Sequence, residues 1–240
     1  MALGTAVYAG AVLFLAYLVR GMTGFGSGLI AIPLLTLVAP VTAVVPLVVS
    51  LDYLGSAGQS VRNVREIAWR EQLVLIPFML AGVGLGLIFL KTVPAATLAR
   101  TLGAFIIVYA VYQLLPVPDL RASRAAATYC GILGGLVGTL FGTGGPFYVI
   151  YLRLRGLDKG AFRATFAMNF LIDGGVRLAA YALMGLLGGE TLLHVLAALP
   201  IVALALWVGG RIHTGLDPRA FVWMISVLLL ASGVTLILKG

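Results

Sequence analysis

Long apolar runs alternate with short polar stretches along the chain. The runs fall at about 4–38, 41–61, 72–90, 95–115, 125–152, 164–185, 191–210 and 220–238. Each is close to or above the roughly 20 residues a helix needs to cross a bilayer. The stretches between them are short, which predicts that neighbouring helices pack antiparallel. Pro40, Pro94, Pro116, Pro118 and Pro218 punctuate turns between runs. Pro33, Pro77, Pro146 and Pro200 fall inside runs, where proline removes a backbone hydrogen bond and kinks or breaks a helix.

Composition supports that reading. Hydrophobic residues make up 61% of the chain, charged residues 10%, and the mean hydropathy is +1.10. A soluble domain carries about a quarter charged residues. The pattern therefore predicts an all-α polytopic membrane protein whose first partner is the lipid bilayer, with no soluble domain between the runs. The first run lacks a basic leader and a small-residue cleavage site, so it is expected to be retained. The net charge of +8 comes from scattered Lys and Arg in short loops, which set membrane orientation. With no basic block, a nucleic-acid partner is not expected. Cys130 is the single cysteine and lies in an apolar run. It has no internal disulfide partner and is expected to behave as a small hydrophobe.

The two halves of the chain echo each other. "TGFGSGLI" (23–30) matches "TLFGTGGP" (139–146), aligning Phe25 with Phe141, Gly26 with Gly142, Ser27 with Thr143 and Gly28 with Gly144. "VSLDYL" (49–54) then matches "FAMNFL" (166–171), pairing Asp52 with Asn169, and Pro77 matches Pro200. The shared order predicts a duplication of four apolar segments: an N-terminal repeat at 1–115, a linker at 116–124 and a C-terminal repeat at 125–240.

Loop charges bear on orientation. If all eight runs simply span, one side carries six Lys/Arg and the other seven, which is no bias. If runs 4–38 and 125–152 each enter and leave on one side as broken, re-entrant hairpins, loops 62–71, 116–124, 153–163 and 211–219 share a side. They carry eleven Lys/Arg, against Lys91 and Lys239 opposite. Run 125–152 is also too short for two full spans, yet long enough for two half-helices. Each half then crosses an odd number of times. The repeats are therefore inverted and both termini lie outside the cytoplasm. A long, bent single span is the rival reading for each hairpin.

These breaks locate candidate chemistry. Non-helical backbone at membrane depth is tolerated only where protein or a wet cavity satisfies it, and broken helices of inverted repeats aim their ends at a midplane site. Ser27-Gly28 and Thr143-Gly144 would offer backbone N–H groups and hydroxyls, and helix N-termini attract anions. Arg20 places a full cation just before the first break. Such a site suits an anion with several oxygens. The plainer readings are close helix packing by the glycines and snorkelling by Arg20.

Two polar stripes follow. Asp52, Ser56, Gln59 and Asn63 share one helix face, as do Asn169, Asp173 and Arg177. Asp173 and Arg177 could form a purely structural ion pair. Alternatively, Arg177 binds substrate while Asp173 or Asp52 carries a proton. His194 and His213 lack ligand-spaced partners, so no metal site is expected. The absence of a Walker A loop argues against ATP hydrolysis. No cofactor is implied. Ser27 has no nearby base, so an enzyme is not expected.

"RGMTGFGSGLIAIPLL" and "GLVGTLFGTGGPFYVIY", each heading a half of four segments, resemble the sulfite exporter TauE/SafE family, also called the toluene sulfonate uptake permease family. The resemblance implies a multi-pass transporter of the bacterial inner membrane, moving sulfite, sulfoacetate or another sulfonate, with proton coupling proposed for some members. Carried over by motif, the substrate region would involve Thr23, Gly24, Phe25, Gly26, Ser27 and Gly28, with Phe141, Gly142, Thr143, Gly144 and Asn169. Arg20 and Arg177 would balance charge in alternating access. Asp52 stands where the second half has Asn169, and an acid there disfavours an anion unless it is protonated or paired. An anion-selective channel is the alternative, since paired broken hairpins also build pores. Small-residue faces would permit a homodimer or serve internal packing.

Overall fold

In the computed structural model the described residues are 3–23, 26–60, 65–115, 123–212 and 218–239. They form ten α-helices and no strand. The helices are α1 (Leu3–Thr23), α2 (Ser27–Thr36), α3 (Val41–Ser60), α4 (Trp69–Thr92) and α5 (Ala95–Leu114), followed by α6 (Ala126–Phe141), α7 (Gly145–Leu154), α8 (Lys159–Leu183), α9 (Gly189–Arg211) and α10 (Pro218–Lys239). Among the described residues, α1, α4, α5 and α9 are long and apolar enough to cross a membrane, and several shorter helices are equally apolar.

Both runs expected to break do so. Run 4–38 divides into α1 and α2, and run 125–152 into α6 and α7. Each break centres on a glycine in the left-handed region: Gly26 at φ 98° and Gly142 at φ 62°. A Cβ is disfavoured there; Gly142 closes the end of α6, and Gly26 stands immediately before α2. The two positions align in the sequence repeat. Pro33, Pro77 and Pro200 sit inside α2, α4 and α9 without dividing them. Pro146 falls in the first turn of α7, where its missing N–H costs nothing.

The helices assemble into two compact units. One comprises Met1–Val48, Val93–Val117 and Gly189–Gly240; the other comprises Val49–Thr92 and Pro118–Gly188. Each draws on both halves of the sequence, so packing and sequence repeat divide the chain differently. In the first unit α1 packs on α9, α5 on α10, and α2 on α1 and α10. In the second, α6 packs on α4, and α7 on α6 and α8.

Small residues allow the close pairs. A Cβ on Gly82 or Gly135 would strike the backbone of the facing helix, α6 or α4 respectively. A Cβ on Gly21 would meet the Leu206 carbonyl of α9 at 2.8 Å. Transmembrane helices gain little from apolar burial against lipid, so close backbone approach supplies much of their association. The packing reading of the glycines thus holds for these positions, and the break reading for Gly26 and Gly142. These small-residue faces are taken up within the units. Cys130 is half-buried on α6, packed against the cluster of Leu75, Met79, Tyr148, Tyr151 and Phe166.

Candidate functional site

In the first unit the break is held by Arg20. Its side chain is 4% exposed, so it does not snorkel to a surface. Its Nη1 donates to Ser27 Oγ at 3.0 Å, bridging the last turn of α1 to the first residue of α2. The guanidinium also lies 6.0 Å from the centre of the Tyr17 ring. Ser27 and Gly28 are buried, and Gly26 is half-buried. Gly24, Phe25 and the side chain of Thr23 lie outside the described residues, as do Asn63, His213 and the side chain of Gln59.

The second unit contains a richer constellation. Arg177, from the middle of α8, is 2% exposed. Its Nη1 donates to the Gly138 carbonyl at 2.6 Å and its Nη2 to Asp173 Oδ2 at 2.6 Å. The Tyr181 hydroxyl donates to the Thr139 carbonyl at 2.6 Å. The last turn of a helix leaves carbonyls without intrahelical partners and carries partial negative charge. Arg177 adds a second donor to the Gly138 carbonyl, which also accepts from the Gly142 N–H at 2.8 Å, Tyr181 donates to the Thr139 carbonyl, and the cation has the favourable sign. Gly138 leaves this space free: a Cβ there would sit 3.3 Å from Arg177 Nη1.

A pocket opens beside this cap. It is lined by Val49, Asp52, Tyr53, Gly142, Phe170, Gly174 and Arg177, and encloses about 210 Å³ with its mouth included. Its interior has room for about one water molecule. Thr143 is buried next to Gly142, and its hydroxyl has no hydrogen-bond partner among the described residues. Phe141 and Gly144 are buried beside the same break. Asn169 does not line the pocket. It lies fully buried and accepts from Gln72 Nε2 at 2.9 Å. The i, i+4 pair of Asp173 and Arg177 is therefore an ion pair, and Arg177 also faces the pocket together with Asp52.

Several residues in and around this site carry no signal of their own in the sequence. Gln72, which holds Asn169 away from the pocket, is only the first residue of an apolar run. Tyr53 and Phe170 line the pocket, and the Tyr148 hydroxyl faces Asp173. One signal was available: the stripe Asn169, Asp173, Arg177 extends by further steps of four to Thr165 and Tyr181.

A second cluster ties the ends of the α6–α7 hairpin together. Glu71, near the start of α4, is 6% exposed. Its Oε1 accepts from Arg124, just before α6, at 3.0 Å. Its Oε2 accepts from Arg155, at the end of α7, at 2.9 Å and from the Tyr151 hydroxyl at 2.7 Å. One carboxylate therefore meets both ends of the hairpin. The hydrogen bond to Glu71 holds the Arg124 guanidinium above its usual range, so it stays cationic. Loop charge predicted which stretches share a side, but not that one acid gathers them.

Comparison with known proteins follows the same lines. The chain is 25% identical over 227 residues, 91% of its length, to a protein of Cupriavidus necator described as a probable sulfite/organosulfonate exporter TauE, of which it covers 88%. It is 28% identical over 195 residues, 79% of its length, to a protein of Comamonas testosteroni described as a probable inner membrane transporter protein TsaS, of which it covers 81%. No solved structure matches. The family model described as Sulfite exporter TauE/SafE matches residues 9–236, nearly the whole chain with both broken runs inside it, and the protein belongs to that family.

Proposed function

We propose that the protein is a secondary transporter of the bacterial inner membrane that moves a small sulfur-containing anion, sulfite or an organosulfonate such as sulfoacetate, by alternating access. The observation that carries this reading is Arg177: a guanidinium 2% exposed in an apolar chain, fixed at a helix break and lining a pocket. Arginine's planar fork matches the oxygens of sulfite and sulfonate groups. Thr143 brings an unused hydroxyl to the same break, and the names of the two relatives agree with the substrate class.

Charge balance favours a proton in the cycle. An anion in this pocket meets one carboxylate, Asp52, and one guanidinium, Arg177, whose charge is already shared with Asp173 behind it. Protonating either acid would offset the repulsion and leave Arg177 to the substrate. In the first unit, Arg20 with Gly26 and Ser27 would be the corresponding polar break. We read the halves 1–115 and 125–240 as inverted repeats joined by the linker 116–124. Two features support this: the left-handed glycines fall at matching positions, and α1 pairs with α9 as α6 pairs with α4.

The test is uptake of labelled sulfite and sulfoacetate into proteoliposomes, with sulfate and an uncharged solute as controls. The expected result is saturable uptake with counterflow, abolished by Arg177→Gln. Transport that ignores all sulfur anions would overturn the substrate class. Single-channel currents would overturn the carrier in favour of an anion channel.

A further inference from the structure

Thr165, Asn169, Asp173, Arg177 and Tyr181 follow one another along α8 at steps of four residues. Four of them are fully buried and Arg177 is 2% exposed. A step of four keeps them on one slowly drifting face, about 24 Å long at 1.5 Å per residue. Each meets a polar group of the same unit. The Ala68 N–H donates to Thr165 at 2.8 Å, Gln72 donates to Asn169, and Tyr148 faces Asp173. Arg177 and Tyr181 donate to the carbonyls that end α6.

The middle of this face has hydrogen-bonding capacity left over. Gln72 Oε1, Asn169 Nδ2 and Thr143 Oγ1 are buried and have no hydrogen-bond partner among the described residues, and the Tyr148 hydroxyl and Asp173 Oδ1 face each other with no partner of good geometry among them. Turning both amides over would still leave one unpaired atom on each. Buried polar atoms in folded proteins are satisfied, and where side chains fail to do it, ordered water does.

The two ends differ. The Thr165 end lies at the start of α4, near Glu71, whose partners Arg124 and Arg155 reach solvent with 39% and 21% of their side chains exposed. At the other end Arg177 and Tyr181 close the face onto α6, and a fixed cation there repels a further proton.

We infer that this face is a hydrated proton path, running from the Thr165–Ala68 end to Asp173 Oδ1. The inference rests on the proton-coupled reading above. A proton leaves hydronium at the open end and passes through water held by Gln72 and Asn169, with the Tyr148 hydroxyl at the last step. At each hop one O–H bond forms as the previous one breaks, and the proton ends on Asp173 as a neutral acid. The groups facing Asp173 are Arg177 and Tyr181 of α8 and Tyr148 of α7, with Asp52 of α3 beyond Arg177. Once Asp173 is neutral, the charge of Arg177 turns to the anion in the pocket. A monoanion and its proton then add no net charge beside Arg177, and a dianion such as sulfoacetate leaves a single negative charge for the freed guanidinium to balance.

Gln72 does not line the pocket, so it separates the path from the site. Wild type, Gln72→Leu and Gln72→Glu are reconstituted with a pH-sensitive dye inside the vesicles. Sulfoacetate is the probe because it has no group titrating near neutral pH. Exchange of labelled sulfoacetate at equal pH reports the site, and proton uptake during net influx reports the path. In Gln72→Leu we expect proton-coupled influx to fall about tenfold or more, as for loss of a buried hydrogen-bonding link, with exchange kept within about twofold and coupling restored by Gln72→Glu. Thr165→Val serves the same purpose should Gln72→Leu not fold. Influx and exchange falling together, or influx unchanged, would overturn the path. Wild-type exchange without proton movement would overturn the path and leave transport standing. Wild type that neither exchanges nor accumulates the probe would overturn both.

Discussion

Arg177 donates to the Gly138 carbonyl at 2.6 Å, reaching from the middle of α8 onto the last turn of α6. The same guanidinium holds Asp173 one turn back on its own helix. A helix broken inside an apolar unit leaves carbonyls that lipid cannot satisfy. Here the Gly142 N–H closes onto the Gly138 carbonyl, α8 brings a cation and a phenol to the same turn, and the pocket opens beside them. Fold and candidate chemistry share the same atoms.

Removing one member of that pair should therefore cost more than removing both. Arg177→Leu leaves Asp173 buried without its cation, a loss of about 3–5 kcal/mol for a broken buried pair. Arg177→Leu with Asp173→Leu should recover part of it. Thermal unfolding in detergent should place the double variant above the single one. A double variant no more stable than the single one would show the pair to be uncoupled.

Glycine substitutions should separate strain from spacing. Gly142→Ala and Gly26→Ala force a Cβ into left-handed backbone, at about 1–2 kcal/mol each. Gly84 lies within α4 with open space around its Cβ position. Gly84→Ala should be neutral or stabilising by up to about 1 kcal/mol. Gly82→Val should be far worse than any of these, because its side chain would meet the α6 backbone. Relative melting temperatures check this order.

Glu71→Gln should loosen the hairpin ends without touching the pocket. It removes the charge that gathers Arg124 and Arg155. Hydrogen exchange should quicken in residues 123–127 and 152–158, while the α8 backbone around Asp173 keeps its protection. Uniform quickening across the unit would mean the carboxylate supports the whole fold.

Orientation can be read with single cysteines in a Cys130→Ala background. Arg163 and Lys91 are both exposed. A membrane-impermeant thiol reagent applied to cells should label Lys91→Cys from outside. Arg163→Cys should react only after permeabilisation, because the Arg-rich loops stay inside. Labelling of both from one side would overturn the inverted arrangement.

The two breaks were legible in the sequence because their cause is local. A left-handed glycine inside an apolar run changes the backbone whatever surrounds it, and the same peptide recurs in both halves. The Asp173–Arg177 pair was legible for the same reason, since i, i+4 neighbours on a helix meet without help from the fold. Arg20 was placed at its break by sequence adjacency, and the hydrogen bond to Ser27 spans seven residues. None of these required knowing which helix packs on which.

The sequence by itself determined that the chain forms apolar helices, that two runs break at Gly26 and Gly142, and that α8 carries a polar face. Only the tertiary structure decided what that face meets. Gln72 and Asn169 lie 97 residues apart in the chain, and Gly138 and Arg177 lie 39 apart. In lipid one apolar helix face resembles another, so hydropathy does not name a helix's neighbour. Backbone approach through small residues and the pairing of buried polar groups choose it. Both are properties of surfaces that exist only once the helices have packed.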